Sequence, residues 1–297
     1  MYKPDTVFII GAGASAEAGL PIGSKLAEII SEKLDYEFDF DRLIKGNQNI
    51  YGSWKKHIQD NKTDEDPNVY LETANGVSSG IILAESIDNF IDIHQADAKT
   101  KLIGKTAIAH SILEAERNSK FFVDWETYNR FEPPISMRNL GESWFVLFAT
   151  LIARRIPKDE VAHIFQNISI ICFNYDRCIE QFLTFAISAI YSLEMKEAWE
   201  IVNSLNIIHP YGTVGDLAIP QISQGVHFGA DPDRADLLSI SRDIKTYTER
   251  DEDGEVLNNI RGLVEAAQSL VFLGFGYVSQ NMNLLKPTGD TNVKKIY

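Results

Sequence analysis

The chain reads as an α/β protein, a Rossmann-like, mostly parallel sheet that carries a helical insertion domain. Three observations predict it. Val7-Phe8-Ile9-Ile10 runs as a buried strand into the glycine turn Gly11-Ala12-Gly13 and then a helix. Ile168-Ser-Ile-Ile-Cys-Phe173 is apolar and β-branched throughout, as a strand covered on both faces must be, and a helix follows from about Arg177. Ser269-Leu-Val-Phe-Leu273 repeats the pattern and ends in Gly274-Phe275-Gly276.

The elements follow in order. After the first strand, Thr6 to Ile10, the spacing of Leu26, Ile29, Ile30 and Leu34 predicts a helix over 22–34. Tyr36 to Asp41 supplies acids but no convincing strand, and the polar stretch from Asn47 to Asn75 marks departure into an insertion. Apolar residues at Phe90, Ile91, Leu102, Ile103, Ile108, Ile112 and Leu113, with Lys and Glu on the other faces, predict amphipathic helices over 87–119. Glu142 to Ile156, rich in Trp, Phe and Leu, is a buried helix stopped by Pro157; its apolar face serves either the core or self-association. A short strand at Asn206 to His209, a turn at Tyr211 to Gly215, helices over 235–247 and 255–267, and a helix over 278–285 complete the pattern. Val293 to Tyr297 reads as a strand just beginning, which suggests a longer parent chain. The expected organisation is a Rossmann-like domain of residues 1–45 and 140–297 interrupted by a mostly helical insertion, 46–139.

Composition narrows the function classes. At 297 residues and 44% hydrophobic content the chain can bury a full core. A net charge of −14 argues against direct nucleic-acid binding and against anionic membranes. No run approaches the ~18 apolar residues of a membrane span, and the expectation is a cytoplasmic protein. Cys172 and Cys178 are the only cysteines, so neither a disulfide framework nor a four-cysteine zinc ribbon can be built, and no metal site is expected.

Ligands of open α/β sheets sit outside the carboxyl ends of the strands, and here those ends carry unusual residues. Gly11-Ala-Gly-Ala-Ser-Ala16 satisfies the dinucleotide fingerprint G-x-G-x-x-G/A; it reads either as a phosphate cradle or as tight helix-on-strand packing. Asn174 and Asp176 follow the second strand, as site residues or as a turn and helix cap. His209 stands at a strand end beside a glycine turn and is the general-base candidate, while the other histidines lie in polar or helical settings without metal spacing. Ser86 or Asp88 caps a helix, or Asp88 faces the cleft if the insertion forms its lid. The acidic run from Thr246 to Gly254 reads as a solvated loop or a regulatory contact.

The longer pattern Gly-Ala-Gly-x-Ser-x-x-x-Gly-Leu-Pro, from Gly11 to Pro21, resembles the sirtuin superfamily. Asn174-Tyr175-Asp176 is similar to its Asn-x-Asp motif, His209-Pro-Tyr-Gly212 to its His–Gly motif, and Gly274-Phe275-Gly276 to its glycine turn on the adenosine side. Two departures remove protein deacetylation: the four-cysteine zinc ribbon is absent, and Ile22-Gly23-Ser24 replaces the usual Asp-Phe-Arg. What remains is similar to the sirtuin-like NADase domains of prokaryotic antiphage systems. The resemblance implies NAD⁺ as substrate, cleaved to nicotinamide and ADP-ribose. Gly11, Ala12, Gly13 and Ser15 would then hold the pyrophosphate, with Gly19 and Pro21 closing that cofactor-binding turn, Gly274, Phe275 and Gly276 would take the adenosine side, and Asn174 and His209 would work at the bond broken. Asp176 would orient the carboxamide, and Tyr211, which stands directly before Gly212, is the alternative occupant of the family's His position. It further implies control by homo-oligomerisation, a partner ATPase or another regulatory protein. Two rival readings keep the nucleotide: a sensor of NAD or ADP-ribose without turnover, and an NAD-dependent oxidoreductase.

Overall fold

The computed structural model describes residues 5–61, 65–128, 134–251 and 254–297. It opens with strand β1 (Thr6–Ile10), helix α1 (Ala12–Ser15) and, after a 3-10 turn, α2 (Gly23–Leu34). A two-stranded hairpin, β2 (Glu37–Asp39) and β3 (Arg42–Lys45), leads to α3 (Gln48–Asp60), α4 (Pro67–Ile81), α5 (Ile87–Ile93) and α6 (Ala98–Arg117). The chain then returns through α7 (Trp144–Ala153), β4 (Ile168–Cys172), α8 (Cys178–Tyr191), α9 (Met195–Asn203) and β5 (Asn206–Ile208). A small pair, β6 (Leu217–Ala218) and β7 (Val226–His227), precedes α10 (Leu237–Ser241), α11 (Tyr247–Asp251) and α12 (Gly254–Ala266). Strand β8 (Ser269–Leu273), α13 (Ser279–Leu285) and β9 (Lys295–Ile296) finish it.

The main sheet has the order β5-β4-β1-β8-β9, and every pairing in it is parallel. Renumbered within the sheet this is 3-2-1-4-5, the doubly wound order, so the switch point falls between the ends of β1 and β8. The period of two along β1 divides the core. Val7 and Ile9 join one buried cluster, Phe8 and Ile10 the other. The Phe8 side is covered by α7, α8 and α9, with Phe8 edge-on to Phe148 at 4.9 Å.

On the other side the insertion does not stand apart. Trp54 of α3, Ala74 of α4, Ile91 of α5 and Ile108 of α6 belong to the same cluster as Val7 and Ile9, and Ser31 of α2 donates to the Ser78 carbonyl of α4 at 2.8 Å. The helical insertion is therefore one half of the sheet's cover. Its last helix is fixed by a buried ion pair: Arg177, at the end of the β4 turn, donates from Nε to Glu116 Oε1 at 3.1 Å, and its backbone N–H reaches the same oxygen at 3.0 Å. Arg177 Nη1 and Nη2 also serve the carbonyls of Val226 and His227, while Glu116 Oε2 accepts from Gly229 N–H at 3.0 Å. With the pair 1% and 0% exposed, each charge is answered by geometry rather than by water.

Three local expectations change. The acids of 36–41 form the hairpin β2/β3, which is separate from the main sheet. The helix expected over 235–247 divides into α10 and α11, because Lys245 N–H donates to the Tyr211 carbonyl at 2.9 Å instead of continuing the helix. The acidic run begins as α11 rather than as a loop, and Glu249 there pairs with Lys105 of the insertion; residues 252–253 lie outside those described. The C-terminal strand does form, as the edge strand β9.

Truncating Glu116 leaves a buried guanidinium uncompensated. Glu116→Ala should lose about 3–5 kcal/mol of unfolding free energy, read by urea denaturation. A loss below ~1 kcal/mol would mean that the pair does not hold the insertion to β4.

Candidate functional site

At the switch point the ends of β4, β1 and β8 open into one cavity of about 430 Å³, within the range of small-ligand pockets. Its walls come from Gly11, Ala12 and Gly13 after β1, from Asn174 and Asp176 after β4, and from Gly274, Phe275 and Gly276 after β8. Pro21 and Tyr211 line it as well, and the insertion contributes Ser86 and Asp88.

The glycines serve two different ends. A Cβ on Gly11 would lie 2.7 Å from the Gly274 carbonyl oxygen, and one on Gly274, whose φ is +56°, would lie 1.9 Å from Ala14 N. Gly13 N–H donates to Gly274 O, and Gly11 N–H to Leu273 O, both at 3.0 Å. These two donors are therefore spent on closing the turns against each other, and the packing reading of the motif is true of this part. Gly276 is otherwise: its φ lies outside the left-handed region, and the nearest atom to an added Cβ is Val278 Cγ2 at 3.8 Å. Nothing among the described residues requires a glycine there.

Helix α1 has only four residues and carries little macrodipole, whereas α2 has twelve, starts at Gly23 and has no capping side chain. Ile22 and Gly23 line the cavity, so the uncapped start of α2 faces it. Gly19 and Ser15 do not line it. Gly19, with φ +103°, reverses the chain before α2, and Ser15 lies buried beneath the glycine turn.

Ser15 nevertheless organises the strand end. Its Oγ donates to Asp176 Oδ1 at 3.0 Å and accepts from Asn174 Nδ2 at 3.0 Å; Asn174 Nδ2 also donates to Gly11 O at 3.1 Å. Because a carbonyl only accepts, the amide orientation is fixed, and Asn174 Oδ1 is left toward the cavity. Asp176 Oδ1 also takes Cys178 N–H at 3.1 Å, so this residue is both a wall of the cavity and the acceptor that starts α8. Burial pushes its carboxyl above the usual range.

His209 is not in this cavity. The turn closed by Gly212 N–H to His209 O, 3.0 Å, separates the side chains of His209 and Tyr211. Tyr211 faces the cleft, with its hydroxyl donating to Asn281 Oδ1 at 2.6 Å, while His209 borders a second cavity of about 740 Å³ beside Glu180. The general-base expectation for His209 thus meets a geometric obstacle, and of the two residues Tyr211 is the one that lines the cleft. Among the described residues no histidine lines the cleft, and no cluster of three metal-ligating side chains occurs.

Sequence reasoning underweighted Asp88. Ser86 caps α5 by accepting from Asn89 N–H at 3.1 Å, so Asp88, two residues on, is free of that task. It instead receives the hydroxyl of Tyr175. Burial, with nearby Asp92 adding to it, pushes the Asp88 carboxyl up to about 7. Asp92 itself is occupied by Thr248 N–H and Gln280 Nε2. Gln280 and Asn281 of α13 also border the cleft, and no motif in the sequence signalled them. An aromatic floor completes it, Phe275 lying 5.2 Å from Phe173 and Phe173 5.9 Å from Tyr211.

No protein-family model matches the chain, and no curated protein or solved structure matches it.

The two glycines of the β8 turn should respond oppositely to alanine. Gly274→Ala is expected to lower the thermal midpoint by several degrees or prevent folding, while Gly276→Ala should stay within about 0.5 kcal/mol of wild type. Equal destabilisation by both would show that Gly276 also has a packing role.

Proposed function

We propose that the cleft binds NAD⁺ and hydrolyses its nicotinamide–ribose bond, releasing nicotinamide and ADP-ribose. One observation carries this reading: the two glycine turns, Asn174 and the raised carboxyl of Asp88 line a single cavity at the switch point of a doubly wound sheet. The sirtuin-like order of the motifs supports the choice of NAD⁺ over other dinucleotides.

In this reading the adenosine half lies along Gly274 to Gly276, where the missing Cβ of Gly276 admits it closely. The pyrophosphate meets the uncapped start of α2 beside Ala12 and Pro21. Asn174 Oδ1 orients a ribose hydroxyl or the attacking water, and Asp176 borders the carboxamide. As the C–N bond lengthens, positive charge grows on the ribose, and the carboxylate of Asp88 stabilises it while taking the proton of the incoming water. Nicotinamide leaves neutral and needs no acid. A carboxyl poised near 7 suits that task, since a base works best with its pKa close to the operating pH.

A reading without turnover has one observation in its favour: no histidine among the described residues lines the cleft. Tight binding of NAD⁺ or ADP-ribose with no nicotinamide released would select it. No helix among the described residues is long and apolar enough to cross a membrane. Unrestrained NAD⁺ hydrolysis is toxic, and the proposed setting is a cytoplasmic antiphage effector held in check by oligomerisation or a partner.

Incubation of the protein with NAD⁺ should release nicotinamide, and Asn174→Ala should reduce kcat by about 100-fold or more. Undiminished turnover by Asn174→Ala would overturn the assignment. The base form of Asp88 exists above its pKa, so kcat/KM should rise with pH and level off above about 7. Asp88→Asn should remove that limb together with about 100-fold of the rate. Its effect on stability has the opposite sign: a carboxyl raised in the folded state opposes folding once ionised, so this variant should melt higher than wild type at pH 8.

A further inference from the structure

The second cavity is joined to the cleft through His209. Its Nδ1 lies 3.0 Å from the backbone carbonyl of Asn174, and its Nε2 lies 3.0 Å from Glu180 Oε1. A carbonyl oxygen can only accept. The Glu180 carboxyl, although burial opposes its charge, is held below the ordinary range by His209 and by Arg177 nearby, so it too is an acceptor. A neutral imidazole has one donor, and this ring faces two acceptors.

We propose that His209 is a doubly protonated positioning residue, its imidazolium clamped between Glu180 and the Asn174 carbonyl, which holds Asn174 at the angle the cleft requires. The proposal rests on the reading of Asn174 as a site residue, and it assigns His209 no proton transfer.

The path is short and every link is a hydrogen bond. Glu180 on α8 holds the ring; the ring holds the main chain of Asn174; the side chain of Asn174 is held from the other side by Gly11 O and Ser15 Oγ. Removing the ring leaves the Asn174 carbonyl without this donor and frees the strand end on one side only. The groups that face the ring are Glu180 from α8 and Cys172 from β4, with Arg177 lining the same cavity; Asp216, Asp243 and Lys245 border that cavity beyond. Burial pulls the ring toward neutrality, the carboxylate of Glu180 pulls it toward the charged form, and the net lies above an ordinary histidine. Cys172 stays a thiol, its ionisation opposed by burial. His110 shows the reverse case in the same protein: its Nδ1 faces the ammonium of Lys33 at 3.1 Å, and burial and that charge lower it.

The test is an NMR titration of the ligand-free protein, with the His209 ring nitrogens and the Asn174 side-chain amide assigned. Both ring nitrogens should stay protonated from pH 5.5 to 8.5, and the Asn174 amide signals should shift in His209→Ala. In Glu180→Gln the ring should titrate nearer to 6.5, and NAD⁺ hydrolysis should lose kcat on the alkaline side of that titration with KM little changed. A wild-type ring that is neutral at pH 7.5, or an Asn174 amide unmoved in His209→Ala, would overturn the proposal. These spectra need no ligand, so a protein that leaves NAD⁺ intact would fail the functional reading while leaving the clamp to stand or fall on its own signals.

Discussion

The buried pair Arg177–Glu116 is the constraint around which the rest is arranged. Arg177 follows the Asn174-Tyr175-Asp176 segment, and Glu116 lies in the last turn of the longest helix of the insertion. Joining them fixes the insertion against the sheet beside the strand ends, and α5 of the same insertion carries Asp88 to Tyr175. Such a pair contributes little net stability compared with well-packed apolar side chains, but its geometry admits only one arrangement. Here every arm of the guanidinium has an acceptor: Glu116, Gly215, Val226 and His227. The β6/β7 pair is thereby tied to the same point.

Around that anchor the strand end is held in tension between polar contacts rather than packed in hydrocarbon. Asn174, Asp176 and Ser15 form one buried hydrogen-bonded group beneath the glycine turn, and His209 with Glu180 grips it from behind. A network of this kind restricts the geometry of the strand end, although Glu180 Oε2 is buried without a hydrogen-bond partner among the described residues. The cost is local: Asp88 and Asp176 are carboxyls whose burial opposes their charge. Raised acids grouped around a cleft mark it as a candidate functional site.

The frame of the fold was legible in the sequence because its signals are local. Continuous apolar runs at 6–10, 168–173 and 269–273, each followed by glycine or a cap and then a helix, dictate parallel strands whatever lies between them. What could not be read was anything that depends on a partner far along the chain. The strand beside β1 comes more than 150 residues later, and the acidic stretch after the first helix belongs to a separate hairpin. The pair Glu116–Arg177 left no spacing signal, and neither did the grouping of Asp88, Gln280 and Asn281. His209 and Tyr211 are two residues apart, and only the turn closed at Gly212 decides which of them faces the cleft. The glycine motif was legible as a pattern but not as a purpose: Gly11, Gly13 and Gly274 pack against one another, whereas a Cβ on Gly276 would meet no more than ordinary contact with Val278.

The most direct measurement is a crystal structure of Asn174→Ala soaked with NAD⁺, a variant expected to bind the dinucleotide and cleave it slowly. An intact dinucleotide is expected in the switch-point cleft, its adenosine half against Gly274 to Gly276 and its nicotinamide ribose within reach of Asp88. A dinucleotide lying in the cavity beside Glu180 and His209, or one whose nicotinamide ribose points away from Asp88, would contradict it.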